Sequence, residues 1–120
     1  MNGRAPDPIV GWQIVADDPA ALSDFYAKLF GWTVDRDNAL GYRRLATGSI
    51  DGGVWPTHVP GKATVQLFIA VADIDDAIAR AQQLGANVLI PRSVLPDGDA
   101  MAIVLDPAGL SFGLLERKPT

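Results

Sequence analysis

Asp18-Pro19-Ala20-Ala21-Leu22-Ser23-Asp24-Phe25-Tyr26-Ala27-Lys28-Leu29-Phe30-Gly31 is the stretch whose reading decides the fold, because its grammar returns 55 residues later as Asp73-Ile74-Asp75-Asp76-Ala77-Ile78-Ala79-Arg80-Ala81-Gln82-Gln83-Leu84-Gly85. In the first copy Asp18 suits a helix N-cap, and Pro19 suits the first helical position, where its missing N–H costs nothing. Leu22, Phe25, Tyr26, Leu29 and Phe30 recur at the spacing of one helical stripe, and Gly31 is a stop. In the second copy Asp73 caps, and Asp75 and Asp76 sit in the first turn, where the helix dipole favours negative charge. Ile74, Ala77, Ile78, Ala81 and Leu84 form its stripe, and Gly85 ends it. The helix starts are offset by 55 residues and the terminal glycines by 54, and two similar units at that spacing predict an internal duplication.

A strand-like run precedes each helix, Ile9-Val10-Gly11-Trp12-Gln13-Ile14-Val15-Ala16 and Thr64-Val65-Gln66-Leu67-Phe68-Ile69-Ala70-Val71. Short strand-like segments follow, near 32–36, 41–46 and 49–55 in the first half and near 87–92, 100–105 and 111–116 in the second. Turn residues split them: Asp97-Gly98 reads as a hairpin turn, and Asp106-Pro107-Ala108-Gly109 as a type I turn. Each half is then βαβββ, module 1 over about 9–56 and module 2 over about 64–117. Thr57-His58-Val59-Pro60-Gly61-Lys62 reads as the linker, and residues 1–8, with two prolines, as a flexible leader. The expected class is α+β: two tandem modules forming a curved, mostly antiparallel sheet around a cleft, helices outside.

Composition narrows the functional classes. With 48% hydrophobic and 20% charged residues, 120 residues suffice for one globular domain with its own core. There is no cysteine, which removes thiolate ligands and cysteine nucleophiles and fits a reducing, cytoplasmic setting. No apolar run is long enough to cross a bilayer, and the N-terminus lacks the apolar segment of a secretory signal. The net charge is −4 and ten basic residues are scattered, so neither nucleic acid nor a membrane surface is an expected partner.

In order and spacing, several segments resemble the vicinal oxygen chelate superfamily, which holds glyoxalase I, bleomycin-resistance proteins and extradiol dioxygenases. They are Asp18-Pro19 into Phe25-Tyr26 and Leu29-Phe30-Gly31-Trp32, then Val71-Ala72-Asp73-Ile74-Asp75, Leu84-Gly85-Ala86, and Asp106-Pro107-Ala108-Gly109-Leu110-Ser111-Phe112-Gly113-Leu114-Leu115-Glu116. The resemblance covers roughly residues 9–117. It implies a cleft that in the enzymes holds one divalent metal through His or Glu side chains. Carried over by position, those ligands fall on Gly11, Gln66 and Gly113, with the fourth somewhere in Asp51-Gly52-Gly53. Glycine offers no donor, and a divalent cation needs several imidazoles or carboxylates. No metal or other cofactor is therefore expected.

The remaining constellations are weaker. His58, the only histidine, sits in the linker and reads as exposed and idle, against an alternative role at the cleft mouth. Gly52-Gly53 reads as steric, either a strand bulge or room for a ligand. Strand alternation places Gly11, Gln13 and Val15 on one face and Trp12 and Ile14 under the helices; Gln66 and Phe68 likewise share a face. Trp55, Tyr42, Phe68 and Met101 are candidates for lining an apolar pocket.

The ligand-binding set is accordingly Gly11, Gln13, Asp51, Gly53, Trp55, Gln66, Phe68, Met101 and Gly113, for an aromatic or cationic organic molecule. The resemblance to the drug-sequestering branch implies a homodimer. Two alternatives compete: a lyase, isomerase or dioxygenase with an atypical metal site on Asp51, Gln66 and Gln13, and a regulatory or assembly scaffold without a ligand.

Overall fold

The structure, a computed structural model, describes residues 5–35, 41–57 and 60–119. Elements follow in the order β1 (Ile9–Ala16), α1 (Pro19–Phe30), β2 (Thr33–Asp35), β3 (Arg43–Ala46), β4 (Gly52–Pro56), β5 (Thr64–Ala70), α2 (Ile74–Gln83), β6 (Asn87–Val94), β7 (Ala100–Leu105) and β8 (Ser111–Glu116). Twice over this is βαβββ, and the protein is α+β. The chain divides into two compact units, Val10–Leu67 and the described residues of Met1–Ile9 with Phe68–Thr120.

In the Val10–Leu67 unit the strands neighbour one another in the order β2-β3-β4-β1. β1 runs parallel to β4, pairing Trp12 with Gly52, Gln13 with Gly53 and Val15 with Trp55. β3 is antiparallel to both β2 and β4. The Asp18 carboxylate accepts the Ala21 amide at 3.1 Å, Pro19 occupies the first turn, and Gly31 closes α1 at φ 73° with its N–H on the Ala27 carbonyl. Ile14, Ala16, Leu45 and Val54 are buried beneath α1, with Trp12, Leu22, Tyr26, Trp32 and Val34 packed around them. The tryptophan of β1 thus packs under the helix, as alternation requires.

One part of the expected stripe lies outside this core. Leu22 and Tyr26 face the sheet, but Phe25, Leu29 and Phe30 are 55%, 59% and 55% exposed, while Ser23 is fully buried. The helix is rotated so that a small side chain, Ser23, meets the sheet. Ser23 brings the two backbones close and gives its hydroxyl proton to the Ala20 carbonyl at 3.1 Å, so its polar group is satisfied without water.

In the second unit the order is β5-β8-β7-β6. β5 is parallel to β8 through Phe68–Gly113, Ile69–Leu114 and Ala70–Leu115; β7 is antiparallel to β8 and β6, with two register shifts along β6. Asp73 caps α2 by accepting the Asp76 amide at 3.1 Å. Leu84 is the C-cap, and Gly85 follows at φ 98°. Ile74, Ala100, Ala102, Val104 and Leu114 make the core, flanked by Val71, Ala77, Ile78, Ala81, Ala86 and Phe112. The last stripe residue, Leu84, is exposed; it is the C-cap, one residue past the end of α2. The Pro8 carbonyl accepts the Ala70 amide at 3.0 Å. Among the described residues no helix is long and apolar enough to cross a membrane.

Candidate functional site

The sheet surface turned away from α1 carries the chemistry in the Val10–Leu67 unit. Alternation along β1 and β5 brings Gln13 and Gln66 onto it, and the Gln13 Nε2 donates to Gln66 Oε1 at 2.5 Å. Both residues are nearly closed off, at 8% and 6% exposure. A buried carboxamide without a partner costs about 1–3 kcal/mol, so mutual pairing is what permits two of them here. Among the described residues no buried side-chain nitrogen or oxygen lacks a partner.

Beside this pair the parallel β1–β4 ladder sets Gly53 opposite Gln13, and Tyr42, just before β3, lies over Gly53. A Cβ at Gly53 would stand 2.1 Å from the Tyr42 hydroxyl oxygen. The Tyr42 ring packs on Trp55 at a centroid distance of 4.6 Å, tilted 36°, and its hydroxyl donates to the Gly52 carbonyl at 3.3 Å. Burial pushes the Tyr42 phenol above its ordinary pKa; the nearby Arg44 charge opposes that and Asp51 adds to it. On the opposite surface of β4, a Cβ at Gly52 would fall 2.1 Å from Trp12 Cδ2. Gly52-Gly53 is therefore neither a bulge nor ligand space. Each glycine is the bare patch on which one of the protein's own aromatic rings rests.

The unresolved register of 51–53 is settled by the same ladder. The 55-residue repeat carries Gln13 onto Phe68, and Gln13 pairs with Gly53 as Phe68 pairs with Gly113. The counterpart of Gly113 in the first module is thus Gly53, and Asp51 lies two residues before it. Both Asp51 oxygens are occupied by its own hairpin: Oδ2 meets Arg44 Nη2 at 2.6 Å, and Oδ1 accepts the Thr47 amide at 2.9 Å. The positions that the resemblance assigns to metal ligands are then Gly11, Gly53, Gln66 and Gly113. Three have no side-chain donor, and the fourth spends its amide oxygen on Gln13. Among the described residues no three His, Asp or Glu side chains gather. These residues do not fit a divalent-metal centre. His58 lies outside the described residues.

In the other unit Phe68, Met101 and Gly113 lie on the surface turned away from α2. Phe68 covers Gly113, whose Cβ would lie 2.3 Å from Phe68 Cε1, and β7 pairs Met101 with Leu115. So of the nine sequence candidates, Gln13, Gly53, Trp55 and Gln66 group in one unit with Gly11 on the same face. Asp51 serves the β3–β4 hairpin, and Phe68, Met101 and Gly113 form a second group. Tyr42, a weaker sequence candidate, is a central residue of the first. Arg44 was missed by the sequence reading; its side chain pairs with Asp51 seven residues on, a contact that only hairpin pairing creates.

Two βαβββ halves, each a mixed sheet with one helix against it, define a protein of the vicinal oxygen chelate class. The family model described as a glyoxalase-like domain matches residues 13–115, and the chain belongs to that family. The anthracycline biosynthesis protein DnrV of Streptomyces peucetius is 31% identical over an alignment of 137 residues, covering 98% of this chain and 50% of DnrV. The chain spans about half the length, or less, of the curated relatives it matches. A glyoxalase/bleomycin resistance protein/dioxygenase superfamily member from Vibrio splendidus superposes with a TM-score of 0.67 at 14% identity, over 89% of this chain and 97% of that one. Methylmalonyl-CoA epimerase from Mycobacterium tuberculosis gives 0.66 at 17% identity, over 98% and 95%. At such identities these two structures share the fold alone.

Proposed function

We propose that this protein binds or sequesters a small organic molecule without a metal ion. The observation that carries the reading is the absence of donor side chains at the ligand positions Gly11 and Gly53, in the same unit as a buried amide pair and the Tyr42–Trp55 aromatic pair. An amide pair offers directional hydrogen bonds and the rings offer dispersion and stacking, the usual makings of an organic-ligand site. The relationship to a protein named for anthracycline biosynthesis supports an organic ligand, which we read as an aromatic or cationic molecule. The protein is expected to be cytoplasmic and a homodimer. The contiguous exposed Phe25, Leu29 and Phe30 on α1 support the second point, since apolar surface of that kind marks contact sites; light scattering after gel filtration tests it.

The binding experiment follows tryptophan fluorescence and melting temperature against a panel of planar aromatic, cationic and non-aromatic compounds, including an anthracycline. Trp55 stands at the face in question, so a ligand there changes its emission. A panel that moves neither signal refutes the reading. The competing lyase, isomerase or dioxygenase function needs a metal, and elemental analysis separates the two. After incubation with Zn, Ni, Mn and Fe(II) and desalting, the expected content is below about a tenth of an equivalent, given the affinities of built metal sites. A stoichiometric metal that alters activity or stability overturns the metal-free proposal.

A further inference from the structure

We propose that the second unit holds a binding site of its own, a cavity between α2 and strands β5 and β8 that takes a free α-amino acid with a branched aliphatic or phenyl side chain. The side chain enters the cavity, the carboxylate meets Arg80 and the ammonium meets Asp7. All of these contacts fall within one compact unit, so the site shares no residue with the amide and aromatic group of the other.

Packing makes the space. The cavity measures about 210 Å³. Its floor is the sheet, where Ile69 pairs with Leu114 across the β5–β8 ladder and Phe112, two residues earlier on β8, shares their face. Its wall is α2, where Ala77 and Ala81 stand one turn apart. Ile74, at the start of the same stripe, is fully buried and closes the core there; the two methyl groups that follow leave the sheet uncovered. An apolar cavity of about 150 Å³ holds one benzene ring, so this larger one accommodates an isobutyl or benzyl group.

Charge at the rim selects the ligand. Arg80 and Asp7, both exposed, line the cavity above its apolar floor. Arg80 donates its Nε proton to Asp76 one turn back at 3.1 Å, which leaves the Nη1 and Nη2 edge of the guanidinium for the two oxygens of a carboxylate. Asp7 is fixed beside β5, because the carbonyl of the next residue, Pro8, accepts the Ala70 amide at 3.0 Å. A carboxylate accepts at about four lone-pair positions, room for an ammonium besides the interaction Asp7 makes within the chain. One cation and one anion over an apolar floor complement a zwitterion with an apolar side chain. A fatty acid would bring its carboxylate against Asp7, and a simple amine its ammonium against Arg80, so each meets a like charge.

Amide NMR titration of the full chain tests this with L-leucine, glycine, isocaproate (leucine without its ammonium) and isoamylamine (leucine without its carboxylate). L-leucine is expected to move the amide signals of Ile69, Ala77 and Ala81. It should bind about tenfold more tightly than glycine, the gain from burying one aliphatic side chain, and about fivefold more tightly than isocaproate or isoamylamine, the size of a charge pair at an exposed rim. Arg80→Gln should bring leucine down to the affinity of isoamylamine, and Asp7→Asn down to that of isocaproate. Ala81→Leu fills the cavity and should abolish leucine binding; the side chain of Arg80 lies at the surface, so Arg80→Gln keeps the test decisive where Ala81→Leu fails to fold. Leucine that moves no amide of α2 or β5 overturns the assignment. So does isocaproate or isoamylamine binding as tightly as leucine, or an unchanged leucine affinity in Arg80→Gln.

Discussion

Gly52→Ala is the sharpest probe of how the site is held. The added Cβ would stand 2.1, 2.2 and 2.5 Å from Cδ2, Cε2 and Cε3 of Trp12, the middle of the indole rather than its tip. Trp12 cannot simply swing away. Its Nε1 donates to the Ile50 carbonyl at 2.9 Å, its ring packs on Trp32 at 5.6 Å, and it borders the Ile14, Leu45 and Val54 core. Overpacking of a closed core costs about 1–3 kcal/mol, and losing the indole hydrogen bond adds about 1 kcal/mol. The lower entropy of an unfolded chain with alanine returns about 0.4–1 kcal/mol. The expected net loss is about 2–3 kcal/mol, a melting-temperature drop of roughly 10 °C for a domain of this size. Urea unfolding measures the free energy, and near-UV circular dichroism reports the indole environment. The double variant with Trp12→Leu should recover at least about 1 kcal/mol relative to additivity, because the two residues touch. A Gly52→Ala protein within about 0.5 kcal/mol of wild type, with its tryptophan spectrum intact, refutes the packing argument.

Other consequences are independent of that one. Gly53→Ala should displace the Tyr42 ring; spectrophotometric titration at alkaline pH should then show the phenol, which burial holds above its usual pKa, ionising closer to the ordinary value. The sign is that of a raised group: its stabilisation is complete below the unfolded pKa of 10.0 and fades as pH rises through the folded value, so Tyr42→Phe should flatten the alkaline limb of the stability curve. Glu116 is shifted the other way, held low by its hydrogen bond to Arg92 and by the Ile74 amide. Its stabilisation is present above 4.5 and lost as pH falls through the folded value, and urea midpoints from pH 7 to pH 3 should fall less steeply in Glu116→Gln. Asp51→Ala should cost about 1 kcal/mol in the same assay, mostly the Thr47 amide bond, because the half-exposed Arg44 pair contributes little.

How much was legible depended on whether the signal was local. Caps, stops and stripes are written within one helix, so Asp18, Gly31 and Asp73 could be assigned from neighbours along the chain. The split of Trp12 from Gln13 followed from strand alternation alone. The role of Gly52-Gly53 was half legible. A pair of glycines in a strand says that space is needed, but not what fills it; Trp12 comes from β1 and Tyr42 from the chain before β3. The exposure of Phe25, Leu29 and Phe30 was hidden for a related reason, since periodicity finds an apolar arc wider than the part a sheet can cover.

By itself the sequence determined the two βαβββ modules and the loss of donors at Gly11 and Gly113, because repetition and residue identity need no third dimension. Only the tertiary structure decided that Gly53, not Asp51, stands in the fourth ligand position, that Asp51 belongs to Arg44 and Thr47, and that Gln13 and Gln66 satisfy one another. Register between strands is a property of hydrogen-bonded pairs, and a slip of one residue sends every side chain to the opposite face. That choice lies in the ladder joining β1 to β4, whose partners are separated by about forty residues of chain.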